Sequence, residues 1–371
     1  MPVISLYVQN DPALLQNKLF TIDELYGMKS DFHMFKKLKE VFSQHGYSIG
    51  TYDVIPAEEA DIVIYYDRLP DKNITKPQFL IISEPHIYSA APWDESNHGQ
   101  FDLVFTYNNR LIGKDKTKYR HYYYPMDFDG LPQMPIPSKQ EFEKRKLANL
   151  VNGSIANYKY HYRTGSLLGE RYRLIEWFSK YHAADFDFFG RNIRKRHYAM
   201  SFPGLGMLKK MLPEPVIMKT SEIVQRRIRN VYKGEVSPLK KIANLNKYKF
   251  SFCFENTNNI DGYITEKLFD CFFSRTIPVY WGAPDIKDVI PEDCFVDFRK
   301  FKNYDELHAY MKSYRFEDAI QMFDQQKNFL MSRQASLMSS DNFAQTIFQE
   351  INKVLKRTAI ISKNPDNIRK G

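Results

Sequence analysis

Short, almost wholly apolar runs recur along this 371-residue chain and alternate with stretches of helical period. In the first half the strand-like runs are VISLYV (Val3–Val8), DIVIYY (Asp61–Tyr66), FLIIS (Phe79–Ser83) and FDLVFTY (Phe101–Tyr107). Runs without polar alternation are typical of parallel strands that helices cover on both faces. The alternation of such strands with helices therefore predicts an α/β protein.

The helical stretches and one charged segment predict how the chain is divided. DFHMFKKLKEVFSQHG has Asp31 as a candidate N-cap, apolar residues on one face and Gly46 as a stop. The charged segment Ile136–Lys146 separates this half from a second alternation: LANLVNG, ERYRLIEWFSKYH, DFDFFG, YKFSFC and TIPVYWGAP. We predict one domain over residues 1–140, a second over 146–345, and a C-terminal helix with a basic tail over 346–371.

The charge of the chain bears on its partners. A formal net charge of +9 suits an acidic partner such as a nucleotide, a nucleic acid or an anionic membrane surface. The basic region from Arg191 to Lys241 lacks interleaved stacking aromatics and any recognised nucleic-acid module. We therefore expect no nucleic-acid partner, and a phosphate-facing or solvated surface in this region.

The sequence gives little support for a metal site. Asp185 and Asp187 match the DxD metal-binding pattern of many sugar transferases, but they alternate with phenylalanines as at a strand edge. The nine histidines form no HExxH or similar cluster, and the three cysteines have no metal-ligand spacing. We therefore expect neither a zinc enzyme nor a metal cofactor.

The two ends of the chain bear on its location. The start, MPVISLYVQNDP, lacks the features of a signal peptide, and no apolar run approaches the roughly 20 residues of a membrane span. We therefore expect a cytoplasmic protein. The C-terminal stretch FAQTIFQEINKVLKRTAIISK has an apolar stripe and a basic end, typical of a helix that lies on anionic lipid. Alternatively, it is a final helix that packs its stripe across the two domains and leaves a basic tail.

One segment places polar groups where ligands bind in open α/β sheets. The strand-like run Tyr248–Cys253 is followed by NTNNIDG, which is loop chemistry, and then by the helical EKLFDCFFS. A helix N-terminus attracts phosphate, Lys267 can neutralise diphosphate charge, and Glu266 can accept hydrogen bonds from sugar hydroxyls. The alternative is simple capping, with Thr265 or Asp261 as the N-cap and Glu266 complementing the helix dipole.

The segment Phe250–Phe301 resembles the signature block of the α-1,3/4-fucosyltransferases, glycosyltransferase family 10, of the bacterial type. It has F-E-N-T, then G-Y-I-T-E-K, an apolar helix, T-I-P-V-x-x-G-A-P and a later V-D-F, in the family's order. The resemblance implies a GT-B-like fold, with two Rossmann-like domains facing across a cleft and the donor bound mainly by the C-terminal one. It also implies GDP-fucose as the donor and transfer with inversion to a hydroxyl of N-acetylglucosamine or glucose.

The resemblance implies roles for individual residues. Those that match the family's donor-site signature are Glu255, Asn256, Tyr263, Glu266 and Lys267. RYRLIEWF resembles the family's helix whose arginine contacts the phosphates; this implies Arg171, with Arg173 as the competitor. Lys267 and Arg171 together would supply the charge that a metal supplies elsewhere, so we expect metal-independent transfer.

The general base is expected in the N-terminal half. I-S-E-P resembles the short segment in which the family places its catalytic glutamate, which implies Glu84. The stretch between Glu84 and the next strand is long, so Asp94 or Glu95 remains an alternative base.

We therefore expect an inverting α-1,3-fucosyltransferase that acts on a galactosyl-containing acceptor like N-acetyllactosamine, on a lipid-linked or lipopolysaccharide glycan. The alternatives are a transferase of another GDP-sugar, such as GDP-mannose, and a non-catalytic basic protein that binds nucleic acid or membranes.

Overall fold

The computed structural model describes residues 1–22, 32–128, 133–152, 164–190 and 226–363. Most of the basic region, at 191–225, and the tail at 364–371 lie outside these residues. The chain divides into two compact units: the first contains residues up to Asp127 together with those from Ser336 onward, and the second runs from Phe128 to Ala335. This division differs from the predicted ranges 1–140, 146–345 and 346–371. The main difference is that the C-terminal helix belongs to the first unit.

Both units contain parallel sheets. In the described residues the strands are β1 Val3–Tyr7, β2 Ser48–Thr51, β3 Ile62–Tyr66, β4 Gln78–Ile81, β5 Leu103–Thr106, β6 Tyr119–His121, β7 Lys146–Asn152, β8 Phe186–Gly190, β9 Tyr248–Phe254, β10 Ile277–Trp281 and β11 Val296–Asp297. The first sheet has the order β2-β1-β3-β4-β5-β6 and the second the order β11-β10-β9-β7-β8, with every pairing parallel. The α/β prediction is confirmed in both units.

Helices follow most of the strands. In the described residues they are α1 His33–Gln44, α2 Asn109–Lys114, α3 Lys139–Lys144, α4 Leu168–Tyr181, α5 Pro238–Leu245, α6 Glu266–Ser274, α7 Ile286–Val289, α8 Tyr304–Ser313, α9 Phe316–Leu330, α10 Arg333–Ser336 and α11 Ser340–Lys363. The helix predicted after Asp31 is α1, and Gly46, with φ 80°, follows its end. Asp31 itself lies outside the described residues. None of the helices described is long and apolar enough to cross a membrane.

The first unit is completed by α11, which lies against α1. Phe348 packs on Phe42, with ring centroids 5.3 Å apart, and on His45 at 4.0 Å. Ile347 and Ile351 are fully buried on the same face of α11. The apolar stripe of the C-terminal helix is therefore used for packing inside the first unit, because α1 offers it an aromatic surface.

The second unit has an aromatic core. Phe178 of α4 stacks on Phe186 at the start of β8, with centroids 4.5 Å apart, and Phe252 of β9 packs on both rings. These side chains are nearly inaccessible to solvent, and they hold α4 against β8 and β9. This packing sets the position of α4, which carries Arg171.

Candidate active site

Glu255 follows directly after β9, at the carboxyl end of the central strand, and is completely buried. It accepts hydrogen bonds from the backbone N–H and the hydroxyl of Thr265, both at 2.8 Å. Thr265 stands at the N-cap position of α6, but its hydroxyl bonds Glu255 and makes no capping bond. The loop between β9 and α6 is thus closed by a buried carboxylate.

Gly282, after β10, leaves the space that this carboxylate occupies. A Cβ atom at residue 282 would lie 2.4 Å from Cγ of Glu255 and from the hydroxyl oxygen of Tyr280. Only a residue without a side chain fits there. The glycine of the G-A-P motif therefore has a packing reason that the sequence does not reveal.

Lys267 lies in the first turn of α6 with its ammonium group against Glu255. Its Nζ is 3.1 Å from Oε2 of Glu255 and 2.8 Å from the hydroxyl of Thr265. Burial alone would lower the pKa of Lys267, but the charges of Glu255 and Glu266 raise it above the ordinary value. The side chain of Lys267 remains 20% exposed. Lys267 is therefore a fixed, permanently charged cation that a ligand can reach.

Glu266 begins α6 and lies between two lysines. Its Oε1 is 3.6 Å from Nζ of Lys267 and 3.8 Å from Nζ of Lys241. Burial would raise the pKa of Glu266, but the charges of Lys267 and Lys241 hold it well below the ordinary value. Lys241 also pairs with Asp270 one turn further along α6. Glu266 is thus ionised at neutral pH and can act only as a hydrogen-bond acceptor.

Arg171 projects from α4 and is 2% exposed. Its guanidinium donates to Oδ1 of Asn256 at 3.0 Å, to Oδ1 of Asn152 at 3.1 Å and to the carbonyl of Phe254. Asn256 in turn donates to the hydroxyl of Tyr263 at 2.9 Å. The structure brings Arg171, Asn256 and Tyr263 together, and contact of Arg171 with a phosphate would require an exchange of at least one of these partners.

Arg173 lies on a different face of α4. Its side chain is 69% exposed and pairs with Glu170 of the same helix at 2.6 Å. Of the two competing arginines, Arg171 is therefore buried and Arg173 exposed, as expected for residues two positions apart on a helix, which do not share a face.

The loop of this site is held by residues that the sequence analysis did not single out. Asp285, after the G-A-P turn, accepts the backbone N–H of Gly262 at 2.8 Å, and Gly262 has φ 75°. Asn152 at the end of β7 holds Arg171. Asn152 could have been predicted from the sequence, because it is a polar residue at the carboxyl end of a strand, where ligands bind in open parallel sheets.

Glu84 lies at the carboxyl edge of the first sheet, three residues after β4 ends. The structure places it beside a residue that the sequence analysis missed, Asp67, which follows β3. Asp67 accepts the backbone N–H groups of Ser83 at 2.7 Å and of Glu84 at 3.0 Å. Asp67 is 8% exposed and has φ 50°, a left-handed conformation that costs free energy for a residue other than glycine. Burial raises the pKa of Asp67 well above its ordinary range, and the charge of Glu84 raises it further.

The alternative bases have structural partners at the surface. Asp94 is the N-cap of a short 3₁₀ helix, Glu95–Gln100, where it accepts from the backbone N–H of Ser96 at 3.0 Å and from its hydroxyl at 2.7 Å. These bonds lower the pKa of Asp94. Glu95 pairs with Lys114. A capping carboxylate with a lowered pKa is a weak proton acceptor, which argues against Asp94 as the base.

The two aspartates of the DxD pattern have different partners. Asp187, inside β8, is 2.7 Å from Nζ of Lys146 and accepts from the hydroxyl of Tyr248 at 2.7 Å. Asp185, just before β8, bonds His308 at 2.9 Å. Among the described residues, one group of side chains has the composition of a metal-binding cluster: His182, Asp185 and His308.

The fold is shared with solved glycosyltransferases. A crystal structure of an α1,3-fucosyltransferase with GDP superposes with a TM-score of 0.54 at 18% identity, covering 94% of this chain and 90% of the other. Sucrose-phosphate synthase from Thermosynechococcus elongatus superposes with a TM-score of 0.57 at 8% identity, covering 96% of this chain and 100% of the other. Two parallel-sheet α/β domains of this kind define the GT-B class of glycosyltransferase folds, as the sequence predicts.

Within that class, residues 226–359 match the family model of glycosyltransferase family 10 (fucosyltransferase), C-terminal part. An alpha-(1,3)-fucosyltransferase of Helicobacter pylori is 52% identical over 69 residues, which are 18% of this chain and 14% of that protein. An alpha-(1,4)-fucosyltransferase of Arabidopsis thaliana is 40% identical over 68 residues, 18% of this chain and 17% of the relative. The matched segments thus span less than a fifth of these curated relatives.

Proposed function

We propose that this protein is an inverting fucosyltransferase that moves L-fucose from GDP-fucose to a hydroxyl of a galactosyl-containing glycan. The observation that carries the proposal is the buried Glu255, which holds Thr265 and Lys267 at the start of α6 inside the family 10 domain. This arrangement offers a nucleotide diphosphate one fixed ammonium group and the N-terminal turn of a helix.

The donor side of the reaction needs positive charge where GDP leaves. As the bond between C1 of fucose and the phosphate oxygen breaks, negative charge grows on the diphosphate, and Lys267 is placed to stabilise it. Because the pKa of Lys267 is raised, the ammonium group is present throughout the neutral range. Glu266 is the acceptor for hydroxyl groups of the ribose or the fucose.

The acceptor side of the reaction needs a base. In a single displacement, the acceptor oxygen forms a bond to C1 of fucose on the face opposite the leaving GDP, and its proton passes to a carboxylate. We assign this proton to Glu84. Its backbone is fixed by Asp67 and by the indole N–H of Trp93, which donates to the carbonyl of Glu84 at 2.8 Å.

The proposal includes metal-independent transfer. Lys267 supplies a fixed positive charge, and the DxD carboxylates have other partners. Activity measured in excess EDTA should match that measured in untreated buffer. Complete loss of turnover that manganese restores would contradict this part of the proposal.

The test is a transfer assay with purified protein and GDP-fucose on four acceptors: N-acetyllactosamine, its β-1,3-galactosyl isomer, lactose and N-acetylglucosamine. We expect release of GDP and fucose on O3 of N-acetylglucosamine or glucose, with the anomeric configuration opposite to that in the donor. GDP-mannose serves as the control donor. Transfer from GDP-mannose without transfer from GDP-fucose would support the second candidate, another GDP-sugar transferase. RNA binding with a steep salt dependence and no GDP binding would overturn both.

The proposal also extends to location. We infer action at the cytoplasmic face of a membrane, on a lipid-linked or lipopolysaccharide glycan, with the basic end of α11 as a peripheral contact. Lys356 and Arg357 are exposed, whereas the apolar stripe of α11 up to Ile351 is buried. The contact we propose is therefore electrostatic.

A further inference from the structure

Three side chains from separate elements of the second unit converge away from the candidate active site. His182 ends α4, Asp185 stands in the turn before β8, and His308 lies in α8. One ligand atom of each lies within 4.8 Å of the corresponding atom of the other two. Nothing in the proposed transfer reaction uses them.

We propose that His182, Asp185 and His308 form a zinc-binding site that ties α4, β8 and α8 together. Two imidazoles and one carboxylate are a ligand set that zinc prefers, with water as the fourth ligand. Because zinc binds its ligands at about 2.0–2.2 Å, three such atoms need only a small closure to share one ion. The proposal is independent of the transferase function.

A backbone hydrogen bond fixes the turn that carries two of the three ligands, and one of the ligand–ligand distances is already short. The backbone N–H of Asp185 donates to the carbonyl of His182 at 3.0 Å, which closes the turn that carries both residues. Nε2 of His308 lies 2.9 Å from Oδ2 of Asp185. The imidazoles of His182 and His308 stack with centroids 3.8 Å apart, which places the second imidazole directly beside the first.

The surroundings of the three side chains are partly apolar. Trp177 packs its ring at 4.9 Å from His182 and 5.9 Å from His308, and the side chain of His308 is 12% exposed. An apolar shell around ligating imidazoles limits the access of solvent to a bound metal ion.

The ammonium group of Lys312 already contacts one of the three proposed ligands. Nζ of Lys312 lies 3.3 Å from Oδ1 of Asp185, and the lysine side chain is 54% exposed. Because like charges repel, this ammonium group opposes the binding of a divalent ion at Asp185. Lys312 is therefore a competitor of zinc, and its removal should tighten binding.

The site lies at the opposite edge of the sheet from the candidate active site. Asp185 precedes β8 and Glu255 follows β9, and both strands run parallel to β7 between them. Zinc bound there would stabilise the second unit without touching the donor. Removal of the ion is therefore expected to lower the melting temperature and leave transfer in the cold unchanged.

The test uses the full chain, freed of any histidine tag and stripped with chelator. Zinc chloride is titrated by calorimetry, and thermal unfolding is followed with and without zinc. We expect one equivalent bound and a zinc-dependent rise in Tm. His182→Ala and Asp185→Asn should each weaken binding by at least roughly 10-fold and abolish the rise. Asp185→Asn keeps an acceptor for His308, which guards against unfolding.

Two further variants sharpen the result. Lys312→Met should bind zinc more tightly than the parent chain, an effect that a purely hydrogen-bonded cluster would not produce. His45→Ala, in the first unit, is the matched histidine control and should titrate like the parent. The proposal is overturned if the parent shows no zinc-dependent rise in Tm, or if His182→Ala and Asp185→Asn leave that rise unchanged.

Discussion

Each of the two carboxylate oxygens of Asp67 lies 3.0 Å from the backbone nitrogen of Glu84. One of them also accepts from Ser83 at 2.7 Å. A buried carboxylate at the end of β3 therefore fixes the backbone of the residue to which we assign the acceptor's proton. Asp67 acts through Glu84 and is a positioning residue.

The substitution Asp67→Asn should lower kcat with little change in KM for GDP-fucose. The backbone of Ser83 and Glu84 offers only N–H donors to this side chain. Asparagine keeps one acceptor oxygen but replaces the other with an NH2 group, which cannot accept, so the loop that carries Glu84 must shift. Misplacement of a reacting group by about 1 Å costs on the order of 10²-fold in rate. Steady-state kinetics measure the split, with Asp94→Asn as the surface control. An unchanged kcat in Asp67→Asn would show that the loop is held by other contacts.

The same variant has a pH signature in stability. Because the folded-state pKa of Asp67 is raised, its contribution to stability is present below the ordinary pKa and is lost as pH rises through the folded value. Asparagine does not titrate. The stability deficit of Asp67→Asn, measured by urea unfolding, should therefore be larger at pH 5 than at pH 8. A deficit that grows with pH would contradict the assigned direction.

Replacement of Glu84 by glutamine should remove transfer and spare donor binding. The amide keeps the shape of the side chain but cannot take a proton, so turnover should fall by roughly 10²–10⁴-fold, as for a lost general base. GDP-fucose affinity, measured by calorimetry, should stay within two-fold of the parent, since Glu84 belongs to the first unit. Asp94→Asn and Glu95→Gln are made in parallel. Loss of activity in either of those, with Glu84→Gln active, would move the base into the loop after Glu84.

The variants Lys267→Ala and Arg171→Ala should both lose transfer, for different reasons. Lys267 can reach a ligand, and its loss should cost about 2–4 kcal/mol in the transition state. Arg171 is buried on Asn152 and Asn256, so its loss should also lower stability, which Lys267→Ala should affect less. Arg173→Ala, on the exposed face of α4, is the control and should behave like the parent. Turnover near the parent value in both Lys267→Ala and Arg171→Ala would remove the donor-site assignment.

Deletion of residues 356–371 should reduce flotation with anionic liposomes. The truncated chain keeps Phe348 and Ile351, which pack in the first unit, and loses Lys356 and Arg357. Because the proposed contact is electrostatic, flotation of the full chain should also fall as salt rises. Equal flotation of the two chains, or none in either, would exclude the tail as a membrane contact.

The sequence predicted those parts of the fold that depend on neighbours along the chain. The long apolar strands and the strand–loop–helix around Glu255 were recognisable because their patterns are local. Strands β2 (SIGT) and β6 (YRH) were not predicted, since neither is a run of apolar residues like those of β4 and β5. Their places in the sheet are set by pairing with β1 and β5.

The residues that the sequence could not predict owe their roles to contacts between distant segments. Asp67 reaches Glu84 only because β3 and β4 are adjacent in the sheet. Gly282 is restricted by Glu255, 27 positions earlier, where β9 and β10 end side by side. His308 meets Asp185 across 123 positions. Spacing in the sequence contains no information on such pairs, whereas the motif residues Glu266 and Lys267 are local and were recognisable.

The placement of α11 has a consequence for how the chain is made. Almost all of the second unit lies between Phe128 and Ala335, and domains generally fold as units during synthesis. The first unit begins synthesis earlier, but the surface of α1 that carries Phe42 stays uncovered until α11, which follows the second unit along the chain, packs on it. The contact between α1 and α11 can therefore form only after the more than 200 residues between Phe128 and Ala335 have been synthesised, and we expect the first unit to be completed after the second.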